Sequence, residues 1–242
     1  MNSKVSVSDC TNEAFFQLKD ELANDLNEDV LTFLKSRNYP WELLGTPLTD
    51  FVKKQIEKVA PADRLKGNIS PSAFLENKDS IVIEEGAVVE AGAYICGPAY
   101  IEAGATVRHG AYIRGQVYVC KNAVVGHTSE LKSALLLNSA KAAHFAYVGD
   151  SILGIDCNLG AGTKCANLRL DHGLVPLRFA DTVASSGLKK FGAVFGNRAQ
   201  TGCNAVTNPG TLLLPHAILL PNTTGQGAIA PRKAFKPRDA HP

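Results

Sequence analysis

From residue 83 every sixth position is Ile or Val: Ile83, Val89, Ile95, Ile101, Val107, Ile113, Val119 and Val125. Two residues before each of the last seven stands a small residue or Val, at Ala87, Ala93, Ala99, Ala105, Ala111, Val117 and Ala123. One position further back come the turn formers Gly86, Gly92, Gly104, Gly110 and Asn122. An α-helix repeats at 3.6 residues and a strand at 2, so neither produces this period. A triangular coil does, with one short strand and one tight corner per hexad and three hexads per turn. Each coil then turns three aliphatic side chains inward. Small residues fit the corners, and Gly or Asn accepts the positive φ that a corner needs. Coils stack at the strand spacing of about 4.8 Å. The spacing predicts a mainly β chain built as a parallel β-helix of hexapeptide repeats.

The register shifts near 137–148 and resumes at Val148, Leu153, Leu159 and Cys165. A second block follows, with small residues at Ala193, Ala199, Ala205, Thr211, Ala217 and Thr223. Between the blocks, residues 168–191 break the period and carry Arg169, Asp171, His172, Arg178, Lys189 and Lys190. An insertion of that length from a solenoid is expected to be functional or interfacial. Residues 12–60 read instead as helix. Phe15, Leu18, Leu22 and Leu26 share one face, with Asp9 or Thr11 as the cap. A second helical stretch covers Val30 to Leu34, and Tyr39-Pro40-Trp41 breaks it. A third helix opens at Thr46-Pro47 and runs to Val59. The expected division is an N-terminal α-helical segment at 1–62, the β-helix at 63–230 and a basic tail at 231–242.

Composition agrees with that division. Aromatic residues make up only 7% of the chain, with one Trp. A narrow coil interior takes Ile, Val and Ala, so the rings are expected outside it: Phe15, Phe16, Phe33, Trp41 and Phe51 lie in the helical segment. Net charge is +2 from 25 basic and 23 acidic residues, which argues against a nucleic-acid binder. No Glu follows Glu130, and past residue 160 Lys and Arg outnumber Asp. That half is suited to an anion such as a phosphorylated small molecule. The six Cys form no C-x-x-C pair, so free thiols in a reducing compartment and no structural zinc are expected. No run reaches 18 apolar residues and the first ten lack an apolar signal core, so the expectation is a cytoplasmic protein off the membrane.

The most specific stretch is Lys132 to Asn167, KSALLLNSAKAAHFAYVGDSILGIDCNLGAGTKCAN. It resembles the acetyltransferase half of the bifunctional UDP-N-acetylglucosamine pyrophosphorylase/glucosamine-1-phosphate N-acetyltransferases, whose pattern runs K-A-G-H-x-x-Y-[LV]-G-D…N-x-G-A-G-T. ANLRLDHG and SSGLKKFGAVFGNRAQTG resemble archaeal-type relatives with a longer loop at this place. The resemblance covers residues 80–225 and implies a left-handed coil. It implies that His144 is a general base, supported by Glu130, and that Arg114 and Lys132 hold the sugar phosphate. Tyr147, Asn158 and Asn167 match polar residues around the sugar. Ala161 matches the position whose backbone N–H polarises the thioester carbonyl, an effect of about 3 kcal/mol. Cys203, Pro221 and Arg232 fall at cofactor-side positions.

The sequence departs from this pattern at Gly173, where the family has a lysine. Arg169, Lys189 and Lys190 stand in the same loop as substitutes. The pyrophosphorylase loop L-A-A-G-x-G-T-R-M is absent, and residues 1–80 are too few for a nucleotidyltransferase domain. The resemblance implies an acetyl-CoA-dependent N-acetyltransferase acting on the 2-amine of glucosamine or galactosamine 1-phosphate, with no metal. It also implies a homotrimer. Two competitors stand beside this. One is a trimer that binds sugar phosphate without turnover. The other is a zinc enzyme hydrating CO₂ through His109, His127 and His144, although the close H-x₄-H pair of such enzymes is missing.

Overall fold

The computed structural model describes residues 5–231. Arg232 and the rest of the basic tail lie outside the described residues. From Asn68 to Ile229 the chain winds as a left-handed parallel β-helix with three flat walls. The first wall is an eight-stranded parallel sheet. The second and third belong to one 14-stranded sheet, because Glu130–Leu136 and Tyr147–Leu153 run unbroken round the corner between them.

The hexad positions behave as their spacing requires. Ile83, Val89, Ile95, Ile101, Val107, Ile113, Val119 and Val125 are all within 1% of complete burial and form one core with the small corner residues. Among the described residues one ring enters that interior: Phe195, fully buried on the strand paired with Leu153 and Leu213. The register shift has a simple origin. Val124 pairs with Thr106, 18 positions earlier, but with Lys141, 17 positions later. Lys141 pairs in turn with Asn158, again 17 positions later, and the second wall repeats both steps at Glu130, Tyr147 and Lys164. Two coils are therefore one residue short, and the inward position slips in sequence while the stack stays continuous. Ile152 pairs directly with Val194, so residues 168–191 leave and rejoin the prism within a single coil.

Gly and Asn do not supply every corner. Positive φ also occurs at Thr128, Ser139, Phe145, Asp156, Arg198 and His216. The ladder of the coils above and below holds these residues in the left-handed region, against their own preference.

The helical segment is shorter-stepped than its periodicity suggests. Helix α1 (Asn12–Phe16) starts where the Thr11 hydroxyl accepts from the Ala14 N–H at 3.2 Å. It stops at Gln17, whose φ is 47°, and a 3₁₀ turn at Glu21–Asp25 follows. The single helix expected through Leu26 is thus two pieces. Helix α2 (Glu28–Lys35) and helix α3 (Thr46–Glu57) fall where expected, α3 with Pro47 in its first turn.

These helices do not bury a core of their own. The middle residues of the third-wall strands, Val82, Tyr100, Tyr118, Leu135, Ile152, Val194 and Leu212, point out of the prism. They form one apolar cluster with Phe33, Phe51 and Val52 of the helices. Phe51 stacks on Phe33 at 4.3 Å and lies 5.2 Å from Tyr118. The insertion joins the same cluster through Val175, Leu177 and Phe191, and Trp41 lies 6.2 Å from Phe179. Among the described residues, the third wall is covered and the first and second are open.

Candidate active site

The corner between the two open walls carries a column of residues, one per coil. The Gly162 N–H donates to the His144 carbonyl at 3.0 Å, the Asn204 N–H to that of Ala161 at 2.8 Å, and the Asn222 N–H to that of Cys203 at 3.0 Å. Below, the Phe145 N–H donates to His127 and the Thr128 N–H to His109. His109, His127, His144, Ala161 and Cys203 therefore stack in order, with Pro221 one coil further on. His144 and Pro221, 77 positions apart in sequence, share one edge because every coil repeats the same corner.

His144 ends the strand Lys141–His144 and is exposed. Its ring makes no hydrogen bond to the described residues. The Ala161 N–H, one rung above, likewise finds no acceptor among them. The edge thus presents a base and a free backbone donor one coil apart, about 4.8 Å along the stack.

The second wall carries the polar set. Side chains alternate along each strand, so Glu130 and Lys132 point outward on either side of the buried Leu131. Tyr147 lies beside Glu130 in the next coil, and Arg114 beside Lys132 in the coil before. Arg114 Nη1 donates to Glu130 Oε1 at 2.6 Å. That bond raises the guanidinium further above its usual range. Glu130 is engaged with Arg114, and no hydrogen bond links it to His144.

Asn167 and Tyr147 converge over Gly149. A Cβ on Gly149 would lie 2.6 Å from the Tyr147 hydroxyl and 2.7 Å from Asn167 Nδ2. Burial, then the carboxylates of Glu130 and Asp150, push the Tyr147 phenol up, so it is a neutral donor near pH 7. Asn167 Nδ2 donates to Asp150 Oδ2 at 2.5 Å, and Lys132 Nζ lies 4.0 Å from the same oxygen. Asp150 is 6% exposed and ties these two together. It stands in the Tyr147-Val-Gly-Asp run of the quoted motif, but only the structure shows what it holds.

Asn158 is not with this group. It sits on the first wall, paired with Lys141 and Gln200. Cys203 and Pro221 are exposed on the corner edge. At Gly173 a Cβ would lie 3.3 Å from Asp171 Oδ1 and 3.4 Å from Arg169 Nε. Arg169 is itself held by Asp171 through Nε at 2.7 Å and through Nη2. That pair holds the Asp171 carboxyl well below the usual carboxylate range.

His109 and His127 stack with centroids 5.4 Å apart and planes 9° apart. Each Nδ1 lies against the carbonyl one coil below, Ala91 at 2.6 Å and His109 at 2.9 Å. A column spreads the three histidines along an edge rather than around a point. Among the described residues no group of three or more His, Cys, Asp or Glu is placed to hold a metal ion. No helix among them is long and apolar enough to cross a membrane.

Fold and edge together define a hexapeptide-repeat β-helix of the left-handed class, with a polar wall flanking an exposed histidine column. Residues 95–228, more than half of the chain, match the family model described as the GMPPB C-terminal domain, and the chain belongs to that family. Among curated proteins it is 31% identical over 198 residues to a bifunctional sugar-1-phosphate nucleotidylyltransferase/acetyltransferase from Sulfurisphaera tokodaii, covering 81% of this chain and 49% of that protein. It is 39% identical over 181 residues to the bifunctional protein GlmU of Methanococcus maripaludis, covering 75% of this chain and 42% of the relative. The GlmU of Methanocaldococcus jannaschii is 34% identical over 196 residues, 80% of this chain and 47% of the relative. The chain spans about half the length of these curated relatives. The relationship expected from the 132–167 block is therefore present across most of the chain.

Proposed function

We propose that the chain is an N-acetyltransferase that moves acetyl from acetyl-CoA to the 2-amine of a hexosamine 1-phosphate, glucosamine or galactosamine. The observation that carries this reading is the shared corner edge of His144 and the unpaired Ala161 N–H, beside a wall bearing Arg114, Lys132, Tyr147 and Asn167. Acetyl-CoA fits the edge by its donor chemistry. A thioester carbonyl can accept from Ala161 N–H, while the small and open rungs at Ala161, Cys203 and Pro221 leave room along the corner. When bound, the thioester supplies an activated acetyl carbon.

The roles of the residues follow. Arg114 and Lys132 present guanidinium and ammonium groups to the sugar phosphate. Tyr147 and Asn167, braced by Asp150, hydrogen-bond the sugar. His144 takes a proton from the acceptor nitrogen as that nitrogen attacks the carbonyl carbon. A C–N bond forms, the C–S bond breaks, and the sulfur leaves with the electron pair and gains a proton as CoA thiol. Ala161 N–H stabilises the negative charge that develops on the carbonyl oxygen, an effect of about 3 kcal/mol. Positioning supplies the rest of the barrier reduction. Asn158 and the His144 edge lie on open walls, so we assign the complete site to a homotrimer in which a neighbouring copy closes the edge.

One observation favours a second reading. With Gly173 at the family lysine position and Arg169 engaged by Asp171, a cation is withdrawn from the loop, as in a sugar-phosphate binder without turnover. Incubation with acetyl-CoA and a panel of amino-sugar phosphates separates the two. Release of CoA with formation of an N-acetyl product supports the enzyme. Binding with no release supports the binder.

A further inference from the structure

The corner rung that follows the histidine column holds Gly110, Thr128, Phe145, Gly162, Asn204 and Asn222, with φ of 69°, 48°, 36°, 75°, 55° and 54°. Four of the six are Gly or Asn, which suit this backbone, and Thr128, which does not, is at least small and polar. Phe145 is neither. A bulky residue at positive φ is a steric outlier. Its ring is also 54% exposed, so the apolar surface that would normally offset the strain stays in water. Asn would satisfy the same corner, as it does at Asn204 and Asn222. A residue that breaks both the backbone rule and the burial rule points to a use beyond folding.

The position of the ring says what that use is. Its centroid lies 6.3 Å from that of His144, with planes at 56°. Its Cε2 lies 3.5 Å from where a Cβ on Gly162 would stand, so it leans over the rung beside Ala161. The ring therefore stands beside the candidate base and reaches the coil above at Gly162, the residue next to the free Ala161 donor, while about half of the residue stays open.

We propose that Phe145 is a positioning residue for the thioester end of acetyl-CoA, an inference that rests on the acetyltransferase reading. The open part of the ring is the apolar wall against which the acetyl methyl and the neighbouring methylenes lie. It turns the carbonyl toward Ala161 N–H and keeps water off the acetyl carbon. Water reaching that carbon would form a C–O bond and break the C–S bond, giving acetate and CoA thiol instead of N-acetyl sugar.

The test compares Phe145→Asn, which keeps a residue suited to the corner, with Phe145→Tyr, which keeps the ring. For Phe145→Asn the expected result is a KM for acetyl-CoA raised about tenfold, the scale of one apolar contact. The acceptor KM stays unchanged, more acetate forms per CoA released, and Tm is held or raised. Phe145→Tyr returns these values to wild type. Wild-type KM for acetyl-CoA and wild-type acetate yield in Phe145→Asn would overturn the proposal, as would a lowered Tm with loss of fold. If the wild-type protein binds CoA but turns over no acceptor, the acetyltransferase reading has failed by itself. Calorimetry with acetyl-CoA then still decides this one, and equal Kd values for wild type and Phe145→Asn overturn it.

Discussion

Asp150 shows how much a single buried carboxylate can arrange on an open wall. It accepts from Asn167 and stands near Lys132, so two residues from different coils share one anchor. The cysteines show the opposite, side chains kept out of chemistry by burial. Burial pushes the thiols of Cys10, Cys157 and Cys165 up to about 12, and that of Cys120 well above its usual 9.0. The thiolate is the reactive form, so these four stay protonated and inert around pH 8. Cys203, exposed on the corner edge, is expected to alkylate first. Peptide mass mapping after brief iodoacetamide treatment of the folded protein checks this, and labelling of Cys157 or Cys165 would contradict it. Burial also sets a sign for stability. An unfolded thiol ionises near 9.0 while the buried one stays neutral, so these groups withdraw stability as pH rises from about 9 toward 12.

The coil is the element that determines what can be changed. At Gly126 an added Cβ would lie 1.8 Å from the carbonyl oxygen of Ala143 in the next coil, which is backbone and has nowhere to go. Gly126→Ala is expected to destabilise by about 3 kcal/mol or more, the upper range for overpacking. Thermal unfolding reads this, and an unchanged Tm would contradict it. Much of the coil is legible in the sequence, since a six-residue period of Ile and Val fits neither a helix nor a strand. The 17-residue coils are visible there only as a loss of register, because a shortened coil and an interruption look alike in one dimension. In the helical segment, Phe15, Leu18, Leu22 and Leu26 fit one helical face, yet the chain breaks at Gln17. Those residues answer to the shape of the third wall, which a local period does not contain.

At the scale of the whole molecule, the helices and the insertion cover one wall and leave two open. The rings of the helical segment lie outside the prism, as its narrow interior requires, but their partners Tyr100 and Tyr118 belong to the wall itself. The candidate site is legible in the sequence as a set of residue types within a motif. Its geometry is not, because the corner column joins His144, Ala161 and Cys203 only once the coils are stacked. Asn158 shows the limit: close to Ala161 in sequence, it lies on a different wall from Tyr147. A closed trimer would bring a second copy against these walls, so sedimentation is expected to give three times the chain mass. A monomer at all concentrations would contradict that.

The most direct test follows purified protein with acetyl-CoA and glucosamine 1-phosphate or galactosamine 1-phosphate by mass spectrometry, which avoids thiol reagents that Cys203 would consume. One CoA and one N-acetylated sugar phosphate are expected per turnover, with the rate lowered by about 10²–10⁴ in His144→Ala. No CoA release with any amino-sugar phosphate, or a His144→Ala variant as fast as wild type, would contradict it.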